Sequence, residues 1–182
     1  MDKWLTASML VLSGALTLVP SVRAETLVKF EGGIAVIPVV AGSAANVVRG
    51  VSPGGFPWVI EKFKARVEGD GDINVEGVGL VLAGGNSIGT AGPITLVAAT
   101  LFCQISPGPA ATFSSHSSGA HPLTADGNFK FKDTLSPVPP SPCTNPALLI
   151  RANNSTGPWL AGRPQTACYR QQSPGKTSLV SV

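Results

Sequence analysis

The chain has 182 residues and a formal net charge of +3 at pH 7, and 13% of its residues are charged. This sparse and nearly balanced charge excludes a protein that binds nucleic acid by electrostatic attraction, so no nucleic-acid partner is expected. The 21 glycines and 16 prolines have no fixed period, which predicts many turns and excludes a collagen-like repeat.

The first 24 residues have the layout of a cleavable signal peptide. Lys3 precedes an almost uncharged stretch, residues 4–22, that is rich in Leu, Val and Ala, and Ala24 is a residue that a signal peptidase accepts before the cleaved bond. Serine, threonine and glycine residues dilute the stretch, which makes a membrane anchor the less favoured alternative. We therefore expect a secreted or periplasmic protein without stable membrane insertion after cleavage.

Cleavage leaves about 158 residues, the size of one compact domain. Residues 162–182 lack the apolar content that would offset the entropy cost of ordering, so they are expected to form a disordered tail behind a domain at 25–161. Residues 106–122 are rich in Ser, Gly, Ala and Pro, and they are expected to form an irregular loop.

Strand patterns dominate the domain. Residues 65–68 and 72–76 alternate apolar and polar side chains around the turn residues 69–71, which predicts a β-hairpin. Residues 129–132 alternate Phe and Lys, which is typical of a strand with one wet face. Residues 94–103 are mostly apolar at successive positions, which predicts a strand covered on both faces.

No segment shows the 3.6-residue period of a helix. We therefore predict an all-β protein with a mostly antiparallel β-sandwich, and a β-barrel is the alternative. A switch of the apolar phase between Ile60 and Phe63 predicts a β-bulge near Glu61-Lys62. Further candidate strands, each bounded by Gly, Pro, Asn or Ser, are 33–40, 58–67, 78–82 and 147–152.

Three cysteines allow three single-bridge pairings, and an exported chain is expected to form a disulfide. Cys103 ends the most apolar strand, and Cys143 lies just before the strand candidate at 147–152. Because both flank core elements, we predict the pair Cys103 with Cys143. Cys168 is then unpaired in the tail.

Residues 85–89 match the G-x-S-x-G pattern of a serine-hydrolase nucleophile elbow, with Ser87 in the nucleophile position. That elbow requires a helix directly afterwards, whereas Gly92 and Pro93 break one. It also requires an acid and then a histidine along the chain, and no Asp or Glu lies between Ser87 and His121. We favour a chance match in a turn and predict no catalytic residue, while a hydrolase using Ser87 or carboxylates remains the first alternative.

The two histidines of the chain, His116 and His121, lie in the Ser-rich stretch. Together with Asp126 they are candidates for a copper or zinc site, and a metal-binding exported protein is the second alternative. We favour solvated loop histidines, because no cysteine has the spacing of a zinc site. No metal and no cofactor is predicted.

Acidic residues at alternating positions in the hairpin, including Asp70 and Asp72, supply the oxygen ligands that Ca²⁺ prefers. The EF-hand template, however, requires Gly where this chain has Ile73. Asp and Gly are also the residues that a tight turn uses, so we favour a turn.

Lys62, Lys64 and Arg66 are spaced to project from one face of a strand. Such a basic stripe is a candidate contact for an anionic polysaccharide or a cell surface. Glu61 and Glu68 flank the stripe and reduce its field, so a solvated sheet face explains it as well.

Several segments between residues 48 and 161 resemble small exported bacterial β-domain proteins of uncharacterised function. This resemblance implies a compact β-domain with paired cysteines, and it adds no catalytic residue. Export, strands and resemblance together favour a structural or binding module over an enzyme. The segments that carry the resemblance are 48–51, 55–60, 72–82, 97–103, 142–143, 146–151 and 157–159.

Overall fold

The computed structural model describes residues 24–38, 46–108 and 110–164. The predicted signal peptide up to Arg23, Cys168 and the predicted tail beyond Pro164 lie outside these ranges, so they stay predictions. Within the described ranges, no helix has the length and apolarity needed to cross a membrane.

The described residues fold into β-strands joined by turns and loops. Most strands are short, as the abundance of Gly and Pro predicts. The strands are β1 (Thr26–Glu31), β2 (Ile34–Ala35), β3 (Trp58–Val59), β4 (Lys62–Glu68), β5 (Asp72–Val78), β6 (Val81–Leu82), β7 (Leu96–Ser106), β8 (Thr112–Ser117), β9 (His121–Pro122), β10 (Phe129–Thr134), β11 (Ala147–Ala152) and β12 (Trp159–Pro164).

Two main sheets form the domain, and all their strand pairs are antiparallel. The smaller sheet has the order β1-β4-β5-β10, and the larger has the order β2-β12-β11-β7-β8, with β9 also paired to β7. A short ribbon of β3 and β6 stands beside them. Each sheet of the described chain is an open row of strands, so the structure confirms the predicted antiparallel sandwich and not the barrel alternative.

The core lies between the faces that carry the alternating apolar side chains. In β4, Phe63, Ala65 and Val67 are buried and the residues between them are exposed, and β5 repeats this pattern. Strand β7 is buried at every position from Val97 to Cys103. The predicted hairpin and the predicted doubly covered strand are both confirmed.

The expectation of an irregular loop at 106–122 is wrong. Thr112–Ser117 forms β8, which pairs with β7 so that His116 lies opposite Leu101. His121–Pro122 forms β9, which also pairs with β7. The sequence of β8 is polar and lacks an apolar alternation. Its extended conformation therefore depends on pairing with β7 and not on local pattern.

The expected bulge near Glu61-Lys62 is also wrong. The chain leaves the ribbon after Val59 and enters the four-stranded sheet at Lys62. The neighbouring strand is interrupted at the corresponding position, where β5 ends at Val78 and β6 begins at Val81. There Gly79 has a φ of +68°, and Leu80 donates its N–H to the Gly127 carbonyl at 2.9 Å. At the C-terminus, β12 ends at Pro164 and not at the predicted boundary Ala161.

The predicted disulfide joins Cys103 of β7 to Cys143, with a Cα to Cα distance of 5.0 Å. Cys143 belongs to a Pro-rich segment, residues 136–146, that runs beside β7 and β8. The backbone N–H of Gln104 donates to the Thr144 carbonyl at 2.8 Å, which fastens the same end of this segment. The disulfide therefore fixes a loop that has no strand of its own.

Replacing both paired cysteines by alanine is expected to lower the free energy of unfolding by about 4 kcal/mol, because the bridge closes 40 residues. Urea unfolding of the mature chain measures this difference. The variant C168S serves as the control and should unfold like the parent. A double variant as stable as the parent would contradict a stabilising role for the bridge.

Candidate functional site

An apolar cavity of about 500 Å³ opens at the end of the larger sheet where the β3–β6 ribbon meets the turn between β11 and β12. None of the residues that line it is titratable, and most are apolar or glycine. Its volume is within the usual range for sites that bind small molecules. The lining residues are Gly54, Gly55, Phe56, Trp58, Leu82, Gly84, Gly85, Asn86, Ser87, Pro93, Ile94, Ala152, Pro158 and Leu160.

Backbone hydrogen bonds hold the walls of this cavity. Gly54 donates its N–H to the Trp159 carbonyl at 2.9 Å, which ties the Gly-rich turn before β3 to β12. Ala83 donates to the Pro57 carbonyl at 2.8 Å, which ties the end of β6 to the same turn. The cavity is therefore formed by the fold itself, and little ordering entropy is lost when it is filled.

Two aromatic residues give the cavity its floor and its rim. The Trp58 side chain is 4% exposed, whereas Phe56 is 59% exposed at the mouth. A Cβ atom on Gly54 would lie 3.1 Å from Leu160 Cδ2 and 3.4 Å from Trp58 Nε1, so glycine keeps the space beside the indole open. The indole N–H of Trp58 lies beside this space, and it is a hydrogen-bond donor.

Ser87 lies at the rim of the cavity in an exposed turn. The carbonyl of Ser87 accepts hydrogen bonds from the N–H and the hydroxyl of Thr90, at 3.2 and 2.9 Å, and no helix follows in the described chain. No histidine or carboxylate lines the cavity beside it. The geometry is that of a turn, and it lacks the base that a serine nucleophile requires.

His116 is a buried side chain of β8 and not the solvated loop residue that the sequence led us to expect. It is 3% exposed. Its Nδ1 lies 2.7 Å from the Pro137 carbonyl oxygen and its Nε2 lies 2.8 Å from Ser114 Oγ. Because a carbonyl only accepts, Nδ1 donates to Pro137, while Nε2 lies against the Ser114 hydroxyl, which also lies 3.3 Å from the Cys103 carbonyl oxygen. Both ring nitrogens are thus engaged, and His116 joins β8 to the Pro-rich segment.

His121 contacts Asp133 of β10 and not Asp126. Its Nε2 lies 2.8 Å from Asp133 Oδ2, and its ring stacks on Phe131 with the ring centroids 4.0 Å apart. Asp133 Oδ2 also accepts the Gly119 N–H at 2.8 Å. This carboxylate therefore joins the β8–β9 connection to the edge of the smaller sheet.

Asp70 stabilises the hairpin turn, as we favoured, and Asp72 contacts the neighbouring strand β10. Asp70 Oδ1 accepts the Asp72 N–H at 3.1 Å, and Asp72 Oδ1 accepts the Thr134 hydroxyl at 2.8 Å. No group of three or more His, Cys, Asp or Glu side chains in the described ranges is arranged to hold a metal ion. The sequence candidates His116, His121, Asp70 and Asp72 are thus not brought together.

The basic stripe is present on β4, where Lys62, Lys64 and Arg66 are all exposed on the outer face of the smaller sheet. Acidic residues interleave it, however. Arg66 Nε lies 2.6 Å from Glu68 Oε1, and Lys64 lies between Glu31 of β1 and Glu76 of β5 in the strand register. The neighbouring carboxylates therefore offset the positive charge of the stripe, which does not produce a strong positive field.

Glu76 is in turn paired to Lys130 of β10, whose Nζ lies 3.0 Å from Glu76 Oε2. This hydrogen bond and the charge of Lys130 lower the pKa of Glu76. The pair continues the alternation of charge across the sheet from Lys64, so the outer face is a network of exposed ion pairs. Exposed pairs of this kind contribute little to stability.

Comparison with protein-family models, with curated proteins and with solved structures found no match to this chain. The sequence predictions missed the apolar cavity, because its walls come from five separate parts of the chain. The sequence did contain a local signal for the cavity, namely the pairs Gly54-Gly55 and Gly84-Gly85. Each pair lies within two residues of an aromatic or apolar residue that also lines the cavity.

The Asp133 contact predicts a specific loss of stability in acid. Burial acts to raise the pKa of Asp133, but hydrogen bonds from His121, the Thr134 N–H and the Gly119 N–H outweigh it and the pKa is lowered. A lowered pKa means that the unfolded chain binds the proton more tightly, so the stabilisation is present above about pH 4 and is lost as the pH falls further.

Urea unfolding between about pH 5 and about pH 2 tests this expectation. The difference in stability between the parent and D133N should shrink as the pH falls. H121A keeps the two backbone donors and should show a smaller change than D133N. A difference between parent and D133N that is the same at every pH would contradict the role of the carboxylate.

Proposed function

We propose that this protein is an exported binding module, secreted or periplasmic, and that its ligand site is the apolar cavity. The observation that carries this proposal is the cavity itself, which has about 500 Å³ of space, apolar walls and no titratable lining residue. Small-molecule sites commonly combine such walls with a few polar groups that orient the ligand.

The lining residues define the chemistry of the ligand. A charged group would lose its hydration in the cavity without meeting an opposite charge, which is costly. An uncharged molecule with an aromatic or branched aliphatic body fits the walls formed by Trp58, Leu82, Ile94 and Leu160. A hydrogen-bond acceptor on that molecule fits the indole N–H of Trp58.

A polar edge lies at the mouth of the cavity, where the side chains of Asn86 and Ser87 are exposed. These groups suit a ligand that is apolar at one end and uncharged but polar at the other. In this proposal Ser87 orients the ligand through a hydrogen bond. It does not act as a nucleophile, since no base lines the cavity.

The export part of the proposal is supported by the N-terminal pattern and by the Cys103–Cys143 disulfide. Disulfides persist in oxidising compartments and are rare in the cytosol. A preorganised site loses less entropy on binding, and the backbone hydrogen bonds around the cavity contribute to such preorganisation.

Binding of the uncharged fluorescent probe N-phenyl-naphthylamine tests the cavity. We expect saturable binding to the parent. F56A should bind roughly tenfold more weakly, a loss of about 1.4 kcal/mol, because Phe56 covers the ligand at the mouth. Since Phe56 is exposed, this variant should unfold at the same urea concentration as the parent.

Two controls sharpen the experiment. I105A removes a side chain that is 68% exposed and does not line the cavity, so it should bind the probe like the parent. Anilinonaphthalene sulfonate has the same rings with an added sulfonate, and it should bind more weakly than the uncharged probe. Equal weakening by F56A and I105A, or stronger binding of the sulfonate, would contradict the proposed site.

The export proposal has its own test. Expression of the full chain in a bacterium, followed by mass measurement of the protein outside the cytoplasm, should give an N-terminus at Glu25. The cytoplasmic fraction serves as the control and should contain the uncleaved chain. A protein that is found only in the cytoplasm with its first 24 residues intact would contradict export.

A further inference from the structure

The bond that signal cleavage would break lies at the beginning of the first strand. Ala24 is the first described residue, and β1 begins at Thr26. The Glu25 carbonyl accepts the Gly69 N–H at 2.8 Å, and Thr26 lies opposite Glu68 in the register of β1 and β4. The backbone pairing thus fixes the place where the new N-terminus would lie.

Glu68 offers an acceptor at this place. Its Oε1 accepts from Arg66 Nε at 2.6 Å. Its Oε2 is buried and has no hydrogen-bond partner in the described structure. A carboxylate oxygen that is removed from water without a partner is unfavourable, so this atom lacks a donor in the uncleaved chain.

Ala24 and Glu68 line the same open concavity, of about 780 Å³, on the outer face of the smaller sheet. Carboxylates outnumber cations there, so the concavity favours an added positive charge. The ionisable residues that line it are Arg66 and Glu68 from β4, Asp70 from the turn, Asp72 from β5, and Lys132 and Asp133 from β10.

We propose that the α-ammonium group created at Glu25 by signal cleavage binds the Glu68 carboxylate and fastens β1 to β4 in the mature protein. The inference rests on the cleavage proposed above. A signal peptidase adds water across the Ala24–Glu25 amide, so that Ala24 leaves with a carboxylate and Glu25 keeps an amine that takes up a proton.

This arrangement makes the processed terminus part of the fold. Before cleavage the nitrogen of Glu25 is a neutral amide, and afterwards it carries a charge and three N–H donors. The edge strand β1 has β4 as its sole strand partner in the described chain, so an added contact at its first residues reduces fraying.

The pKa of the α-amino group measures the contact. An N-terminal amine ordinarily has a pKa of about 7.7 to 8.0, and an adjacent carboxylate raises it because the charged form is favoured. In a chain that begins at Glu25, NMR titration of the first residues should give a pKa about one unit above that range. E68Q should lower the pKa of the amine towards the ordinary value, because it removes the adjacent carboxylate.

Two further chains make the result specific. E76Q removes a carboxylate of the same sheet face that does not line the concavity, and it should leave the pKa of the amine as in the parent. A chain that begins at Ala24 displaces the amine by one residue, and E68Q should lower the pKa of that amine by less than it lowers the pKa of the amine on Glu25. An ordinary pKa in the parent, or a raised pKa that E68Q leaves unchanged, would overturn the contact.

The chain that begins at Glu25 is produced directly, so its titration does not depend on processing in a cell. The mass of the exported protein reports separately on the cleavage. An N-terminus at another residue would overturn the inference at its first step, while the titration overturns or supports the contact with Glu68. The two failures are therefore distinguishable.

Discussion

The structure depends on covering β7, a long strand whose side chains are buried on both faces from Val97 to Cys103. A strand in an antiparallel sheet usually leaves one face to water, so a strand that is apolar on both faces requires protein packed against each face. Strands β11 and β8 form hydrogen bonds along its two edges. The disulfide at Cys103 holds the Pro-rich segment 136–146 against the strand. His116 fastens the other end of that segment through Pro137.

The same arrangement places the cavity. Strand β7 begins at Leu96, two residues after Ile94, and β11 ends at Ala152, so both contribute to the end of the larger sheet where the cavity opens. Because β7 and β11 are buried along most of their length, the cavity is bounded on one side by the core. Its other walls are the Gly-rich turns at 54–55 and 84–85, which approach closely because they lack side chains.

The sequence predicted the elements whose pattern is local. The hairpin around 69–71, the strand at 94–103 and the pair Cys103–Cys143 follow from alternation, apolar content and position, and the structure confirms them. Strand β8 was missed because TFSSHS has no apolar alternation, and its conformation is set by β7. The cavity was missed for a related reason, since residues from Gly54 to Leu160 converge only in the folded chain.

The central claim is that an uncharged apolar ligand occupies the cavity. Amide NMR spectra of the mature protein titrated with N-phenyl-naphthylamine test it most directly, because each amide reports its own surroundings. The account predicts that the largest shifts occur at cavity residues such as Gly54, Gly85 and Ile94. Shifts concentrated on the outer face around Arg66 and Lys132, or an unchanged spectrum at saturating probe, would contradict it.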